Sequence, residues 1–347
     1  MVSWSGGGRR GRVGIIFLLI GLLFFALYLL WTNPFKVLLE AGRLSLPLFL
    51  LSILVNDTGL LLFALSWHLI LRGIGVRVST LKSVSATFIS LFVVWLMPIP
   101  IGSELIRAYL MRNEEGSDLG KATASVMIHK AMYNLSFGLL ITLAAVIEAW
   151  RGVNLPIEKG LLLFVIFFGV STSIIFSLLL TPSLLRGIYR RLPNWVRVRV
   201  ERGLNHPRIG AGGFETLIKG VEDALSTLRS KPLLKLSAFL MVAFQWSTGS
   251  ITTWLVAMSL GCRIDFWIIV ALYAAVEFIQ QLNIVIPGGL GVVDAGLTAS
   301  LCLIGLPLSL SSAISLLTRL VTYWLELLLC AAFSLYYGYR ELLGEYL

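Results

Sequence analysis

The sequence predicts an all-α integral membrane protein: about six full spans plus two Pro/Gly-broken re-entrant helix hairpins, arranged as two inverted repeats. Three observations lead there. Of the 347 residues 57% are hydrophobic and only 13% are charged, with a mean hydropathy of +0.89, whereas a soluble chain carries about 25% charged residues. Apolar runs of about 20 residues, the length that crosses a hydrocarbon core, recur along the chain. Two apolar segments are interrupted alike, at Pro98-Ile99-Pro100-Ile101-Gly102-Ser103-Glu104 and at Pro287-Gly288-Gly289-Leu290-Gly291-Val292-Val293-Asp294. Helix breakers in corresponding halves of a membrane protein are the strongest sequence pointer to a transport site.

In chain order, Val13–Trp31 is the first span, ended by Asn33-Pro34. It follows three arginines but is long enough to span and lacks a small-residue cleavage site, so it is read as a helix that stays and not as a signal peptide. Leu44–Leu71 is the second span, with Asn56 and Asp57 near its middle. Val84–Met97 is too short to cross, and with the Pro98 and Pro100 break it reads as one limb of a re-entrant hairpin over Lys82–Arg112. Gly120–Ala149 and Gly160–Leu180 are full spans. Thr181–Pro232 is polar, rich in arginine from Arg186 to Arg208, broken at Gly210–Gly213 and followed by an amphipathic helix over Phe214–Leu228. Leu233–Leu260 is a span, Phe266–Leu306 a second hairpin broken at Pro287–Gly291, and Leu310–Tyr339 the last span. This divides the chain into an N-terminal span and linker (1–43), a first repeat (44–149), a span with the basic segment (150–232) and a second repeat (233–347).

Charge supports the layout. With the N-terminus inside, only Lys36, Arg43, Arg151, Lys159 and Arg263 lie outside and Lys130 and Arg319 lie within spans; every other member of the 28 Lys and Arg falls on the cytoplasmic side, as the positive-inside rule expects. Both termini are then cytoplasmic in a multi-pass protein of the cell membrane. The net charge of +10 points to anionic membrane lipid, which a basic surface segment attracts, and not to nucleic acid. Three scattered cysteines and three scattered histidines offer neither a disulfide framework nor a metal site, and no cofactor signature is present.

The halves repeat in register. Gly75-Val76-Arg77-Val78-Ser79 matches Gly261-Cys262-Arg263-Ile264-Asp265; Pro100 lies 25 residues after Gly75 and Pro287 lies 26 after Gly261; Lys130 lies 26 after Glu104 and Arg319 lies 25 after Asp294. Arg77 is cytoplasmic and Arg263 external in the layout above, so the repeats are inverted.

Ionisable residues inside spans are costly and mark sites. Lys130 lies about 13 Å into its helix at 1.5 Å per residue, and Arg319 is as deep from the opposite face. Tyr133 and Asn134 share the Lys130 face; Tyr323 and Glu326 share that of Arg319. One reading has Lys130 and Arg319 hold an anionic group, with helix N-termini after Gly102 and Gly291 adding N–H donors, and with Glu104 and Asp294 balancing the cations or carrying a coupling proton. The other has these groups as ion pairs that lock the hairpins. Arg107 either joins the site or forms a surface pair with Glu104. Glu277, Gln280, Gln281 and Asn283 read as a cavity lining, or as helix–helix hydrogen-bonding groups; His129 reads as a satisfied interior histidine, and Asn56 as a helix-packing residue.

The motifs Pro98-x-x-x-Gly102-x-Glu104-x-x-Arg107 and Pro287-Gly288-Gly289-x-Gly291-x-x-Asp294, with Arg319 in the final helix, resemble the membrane region of the lysylphosphatidylglycerol synthase/flippase family, over roughly Leu44 to Tyr339. Asp294 stands where that family more often has Glu. The resemblance implies a flippase-like domain that moves a polar or anionic, phospho- or isoprenoid-linked lipid between leaflets beside lipid-biosynthesis enzymes. Nothing corresponds to the aminoacyl-transferase domain of two-part members, so no enzyme activity is expected. A membrane-embedded lipid-modifying enzyme and a non-transporting scaffold of an envelope-lipid pathway are the alternatives, and the readings leave room for an oligomer.

Overall fold

The computed structural model describes residues 7–96, 102–151, 181–205, 212–282 and 286–346, together with isolated helical positions between 163 and 178. The described residues are helical apart from turns and one isolated antiparallel bridge between Arg77 and Glu115. Helix α1 (Gly7–Thr32) and helix α2 (Pro34–Ala41) meet at a bend of 76°. Asn33 makes it: it takes φ 57°, its side chain accepts from the Lys36 amide, and Pro34 supplies the preset first-turn φ of α2. The predicted end of the first span is therefore where the chain turns.

Two similar series follow. The first is α3 (Leu46–Gly73, 28 residues), α4 (Thr80–Leu96, 17), α5 (Gly102–Met111, 10) and α6 (Leu119–Trp150, 32). Next come three short helices, α7 (Pro182–Arg191), α8 (Asn194–Leu204) and α9 (Phe214–Arg229). The second series is α10 (Pro232–Ser259, 28 residues), α11 (Phe266–Leu282, 17), a 3₁₀ turn at Pro287–Gly289, α12 (Val292–Leu303, 12) and α13 (Leu308–Arg319), which runs through a π-helical turn (Leu320–Leu325) into α14 (Glu326–Tyr346). Gly75 (φ 90°) and Gly261 (φ 76°) close α3 and α10 in the same left-handed way.

The pair α3–α10 is the axis of the molecule. It is close because small residues face each other: a Cβ on Gly59 would lie 2.1 Å from the Thr248 hydroxyl, and Thr252 Oγ1 donates to the Ser52 carbonyl at 3.4 Å. Lipid-embedded helices associate through such small and hydroxylated faces. Each end of the pair carries its own apolar core. One gathers Trp67, Ile70, Met111, Ile128 and Val221; the other gathers Val256, Leu272, Leu297 and Ile314. Helix α9 is amphipathic as predicted, and its Ile218, Val221, Ala224 and Leu228 are buried. The outer faces expose Leu50, Leu54 and Leu61 on α3, Leu139 and Leu143 on α6, and Leu328 and Leu335 on α14.

Among the described residues three helices qualify as spans by length and apolarity (Leu46–Gly73, Leu119–Ile147 and Leu308–Tyr337), or four with the bent pair α1–α2, against six expected of the whole chain. Helix α10 is as long as α3 but falls outside that set. Its middle carries Gln245, Ser247, Thr248, Ser250, Thr252 and Thr253, and Thr248, Ser250, Thr252 and Thr253 are turned inward and buried. The predicted span Gly160–Leu180 lies largely outside the described residues, as do the first hairpin tip with Pro98 and Pro100 and the residue Asn283.

Candidate functional site

An interior cavity of about 170 Å³ opens between the two series. Helix α3 lines it with Asn56 and Phe63, α4 with Leu91 and Trp95, and α6 with Tyr133. Helix α10 contributes Gln245, Trp246 and Thr248; α11 contributes Tyr273, Glu277 and Gln280; the α13–α14 helix contributes Arg319, Thr322, Tyr323 and Glu326.

Arg319 reaches the cavity from the last turn of α13 and is 5% exposed. Its Nε lies 3.6 Å from Asp294 Oδ1, its terminal nitrogen donates to the Gly288 carbonyl at 2.5 Å, and its guanidinium sits 4.5 Å from the centre of the Tyr323 ring. The second break motif is built for this contact. Gly288 has φ 58°, and a Cβ there would lie 2.2 Å from the Tyr323 ring. Gly291 has φ 78° and meets the backbone of Phe24 in α1, where a Cβ would approach to 2.6 Å. Asp294, 1% exposed, does two jobs: Oδ1 faces Arg319, and Oδ2 accepts from the Gly291 amide at 2.9 Å. The Gly291 N–H at this helix start is therefore not open to a ligand while Asp294 holds it. The aspartate three residues on already takes it, as an N3 acid does in a cap.

The first series repeats the arrangement. Lys130 Nζ lies 3.2 Å from Glu104 Oε1, and Ser103 Oγ donates to Glu104 Oε2 at 2.8 Å. Lys130 is 29% exposed on its side chain and lies 5.2 Å from the Tyr133 ring. In both series, then, the acid that follows the break meets the cation of the next long helix. Gly102 opens α5, as the break predicted.

Of the two readings of Arg107, its burial excludes the surface pair with Glu104. Arg107 is 2% exposed, packed between Phe63 and Trp67 at 5.3 and 5.1 Å from their ring centres, and it donates to His129 Nδ1 at 3.1 Å. A guanidinium only donates, so Nδ1 of His129 accepts and Nε2 carries the proton that Ser66 Oγ receives at 2.8 Å. His129 is thus the satisfied interior histidine expected.

The predicted residues Lys130, Glu104, Arg319, Asp294, Tyr133, Tyr323, Glu326 and Glu277 come together at or beside the cavity. Asn134 is buried but does not line it. Gln281 belongs to α11, and its side chain lies outside the described residues. Asn56 packs as expected and also works in the site, donating to Glu326 Oε1 at 2.6 Å. Gln245, Trp246, Tyr273 and Gln280 complete the wall. Gln245 Oε1, Trp246 Nε1 and Gln280 Oε1 are buried without a hydrogen-bond partner, so the wall keeps both a donor and acceptors free. Gln245 had a sequence signal, an amide at mid-span; Trp246 and Tyr273 had none beyond being aromatic.

Outside the cavity, the basic segment is tied down. Arg186 donates to both oxygens of Glu222 at 2.6 and 3.1 Å and to Glu215 at 3.0 Å, which fastens α7 to α9. Hydrogen bonds from Arg186 hold the Glu222 carboxyl below its usual range.

The family described as the lysylphosphatidylglycerol synthase TM region matches residues 18–330. Among curated proteins, a UPF0104 membrane protein of Pyrococcus horikoshii is 23% identical over 90% of this chain and 94% of its own length. Two UPF0104 membrane proteins of Methanothermobacter thermautotrophicus are 24% and 25% identical, each over 94% of this chain and over 96% and 91% of their own lengths.

Proposed function

The chain belongs to the lysylphosphatidylglycerol synthase TM region family of multi-pass membrane proteins, and from that premise we propose that it carries a polar or anionic lipid headgroup between leaflets through the central cavity, without modifying it. The observation that carries this reading is the duplicated pair. Glu104–Lys130 and Asp294–Arg319 stand at matching places in two helix series and flank one polar cavity. Inverted repeats with broken helices and a site at their junction are a recurrent transporter plan.

Both cations already have an acid, so an anionic headgroup enters by exchange. A phosphate oxygen takes the place of Asp294 or Glu104 at the guanidinium or ammonium. The Arg319–Asp294 contact suits exchange: at 3.6 Å it is loose, and the Gly291 amide keeps holding the carboxylate when the arginine leaves. The unpartnered Trp246 N–H and the Gln245 and Gln280 carbonyls supply hydrogen bonds to a polar headgroup. The apolar outer faces of α3, α6 and α14 leave the acyl chains in lipid. In this reading the two breaks are re-entrant hairpin tips that enter from opposite faces, the termini and the basic helices α7–α9 are cytoplasmic, and the membrane is the cell membrane, whose anionic lipids the arginines attract.

The test is movement of labelled anionic phospholipid between leaflets of liposomes that contain the purified protein, for the natural sequence and for Lys130→Ala and Arg319→Ala. Movement that falls in both variants, with the lipid chemically unchanged, is the expected result. Chemical turnover of the lipid, or an absence of movement for every anionic and isoprenoid lipid tried, contradicts it.

A further inference from the structure

The cavity holds two acids that the exchange above does not use. Glu277 from α11 and Glu326 from the start of α14 line the same space, and among the described residues neither forms an ion pair. Glu326 accepts from Asn56, and Glu277 is hydrogen-bonded by Tyr273 one turn earlier on α11. Among the described residues, helix α3 brings Asn56 and, next to it, Asp57; α6 brings Tyr133, with the Glu104-bound Lys130 5.2 Å from its ring; α11 brings Tyr273; α14 brings Cys330; the π turn brings Tyr323. Among the described residues the α4 and α10 walls bring Leu91, Trp95, Gln245, Trp246, Thr248 and Gly249 to the cavity, none of them charged. Arg319 is the one cation among the described lining residues, and Asp294 and Gly288 hold it.

Two carboxylates that share a low-dielectric space with no cation of their own do not both stay ionised, and the protons they bind belong to the pair. Ionisable groups placed like this in membrane proteins serve proton relays. We propose that Glu277 and Glu326 form a proton-binding pair that couples headgroup passage through this cavity to a proton gradient. The inference rests on the translocation reading above. In the coupling step a hydronium ion delivers its proton: an O–H bond forms on one carboxylate, an O–H bond of hydronium breaks, and water departs. Release on the other face reverses the step, and no electrons change hands. Each proton bound removes one negative charge from the cavity, so an anionic headgroup meets less repulsion in the protonated state than in the ionised one. Glu104 and Asp294, the carriers that the sequence suggested for a coupling proton, are each occupied by a cation. The third and fourth acids are the ones free to titrate.

Two measurements test the pair. In liposomes, lipid movement is compared with and without an imposed pH gradient for the natural protein, Glu277→Gln, Glu326→Gln and Glu326→Asp. One pH unit is worth up to about tenfold per proton moved. The expected result is a clear acceleration in the natural protein, retained in Glu326→Asp and reduced to a ratio of about one in both glutamine variants. Movement that ignores the gradient in the natural protein overturns the proposal and leaves translocation standing. The second measurement is infrared pH titration of the purified protein in lipid. A protonated-carboxyl band is expected in the natural protein and weakened in each glutamine variant; a band unchanged in both overturns the pair. If no lipid moves at all, the translocation reading has failed, and the infrared result alone decides whether the pair binds protons.

Discussion

Gly288 and Asp294 carry the most information per residue. Gly288 takes a left-handed φ, presents its carbonyl to Arg319 and lies flat against the Tyr323 ring. Gly288→Ala therefore adds backbone strain of about 1–3 kcal/mol and forces the ring aside. A lowered midpoint in detergent thermal unfolding and slower lipid movement are the expected outcomes. Asn56→Ala removes the donor to a half-buried Glu326, at a cost of up to about 1–3 kcal/mol for the acceptor left behind; the same unfolding assay reads it. Lys130, Arg319 and the two acids were legible in the sequence, because an ionisable residue deep in an apolar run is rare and demands a partner. The sequence leaves Arg107 between a site group and a surface pair. Helical spacing from Glu104 says nothing of Phe63, Trp67 and His129, which come from two other helices and bury it. Trp246 and Tyr273 were invisible for the opposite reason: an aromatic residue in an apolar helix is ordinary, and only the fold shows which ones face the cavity.

Among the elements, breaks and amphipathic faces were legible. Pro287, Gly288 and Gly291 end and restart helices where the sequence placed the interruption, and α9 buries the apolar stripe that its spacing predicts. The π turn at Leu320–Leu325 was not legible, since no proline or glycine marks it. Its consequence is local: it follows Arg319 directly, carries Tyr323 and ends at Glu326, so three cavity groups are presented across one irregular turn. Such wide turns recur at functional sites. The middle of α10 is polar because residues that lower its hydropathy are those that pack on α3. The contact between α7 and α9 has a pH dependence of fixed sign. The Glu222 carboxyl sits below its unfolded value because Arg186 bonds it. That contribution is full above the ordinary carboxylate range and is lost as the pH falls through the folded value. Probes on α7 and α9 should separate on acidification and hold their distance at neutral pH, and Glu222→Gln should separate them at both.

For the whole molecule, two series of matching lengths and matching acid–cation pairs meet along α3–α10. The two acid–cation pairs were legible from spacing alone, because each half keeps glycine, breaker, acid and cation in register. The geometry of the shared cavity was not legible, since it depends on which faces of six helices converge. The proposed inverted orientation makes a direct prediction for the exposed turn residues. With Cys262, Cys302 and Cys330 replaced, Arg77→Cys should label from the cytoplasmic face and Arg263→Cys from the other; labelling of both from one face contradicts the inverted arrangement. Either Lys130 and Arg319 exchange their acids for the headgroup, as proposed, or the pairs only lock the fold. One measurement separates these: lipid movement in liposomes by the double variant Glu104→Lys/Lys130→Glu, beside Lys130→Ala and the natural protein. If the acids exchange, the swap restores thermal stability, because the pair is remade, while lipid movement stays as low as in Lys130→Ala. Recovery of movement to the natural rate would show that the pair is only a lock, and would contradict the exchange.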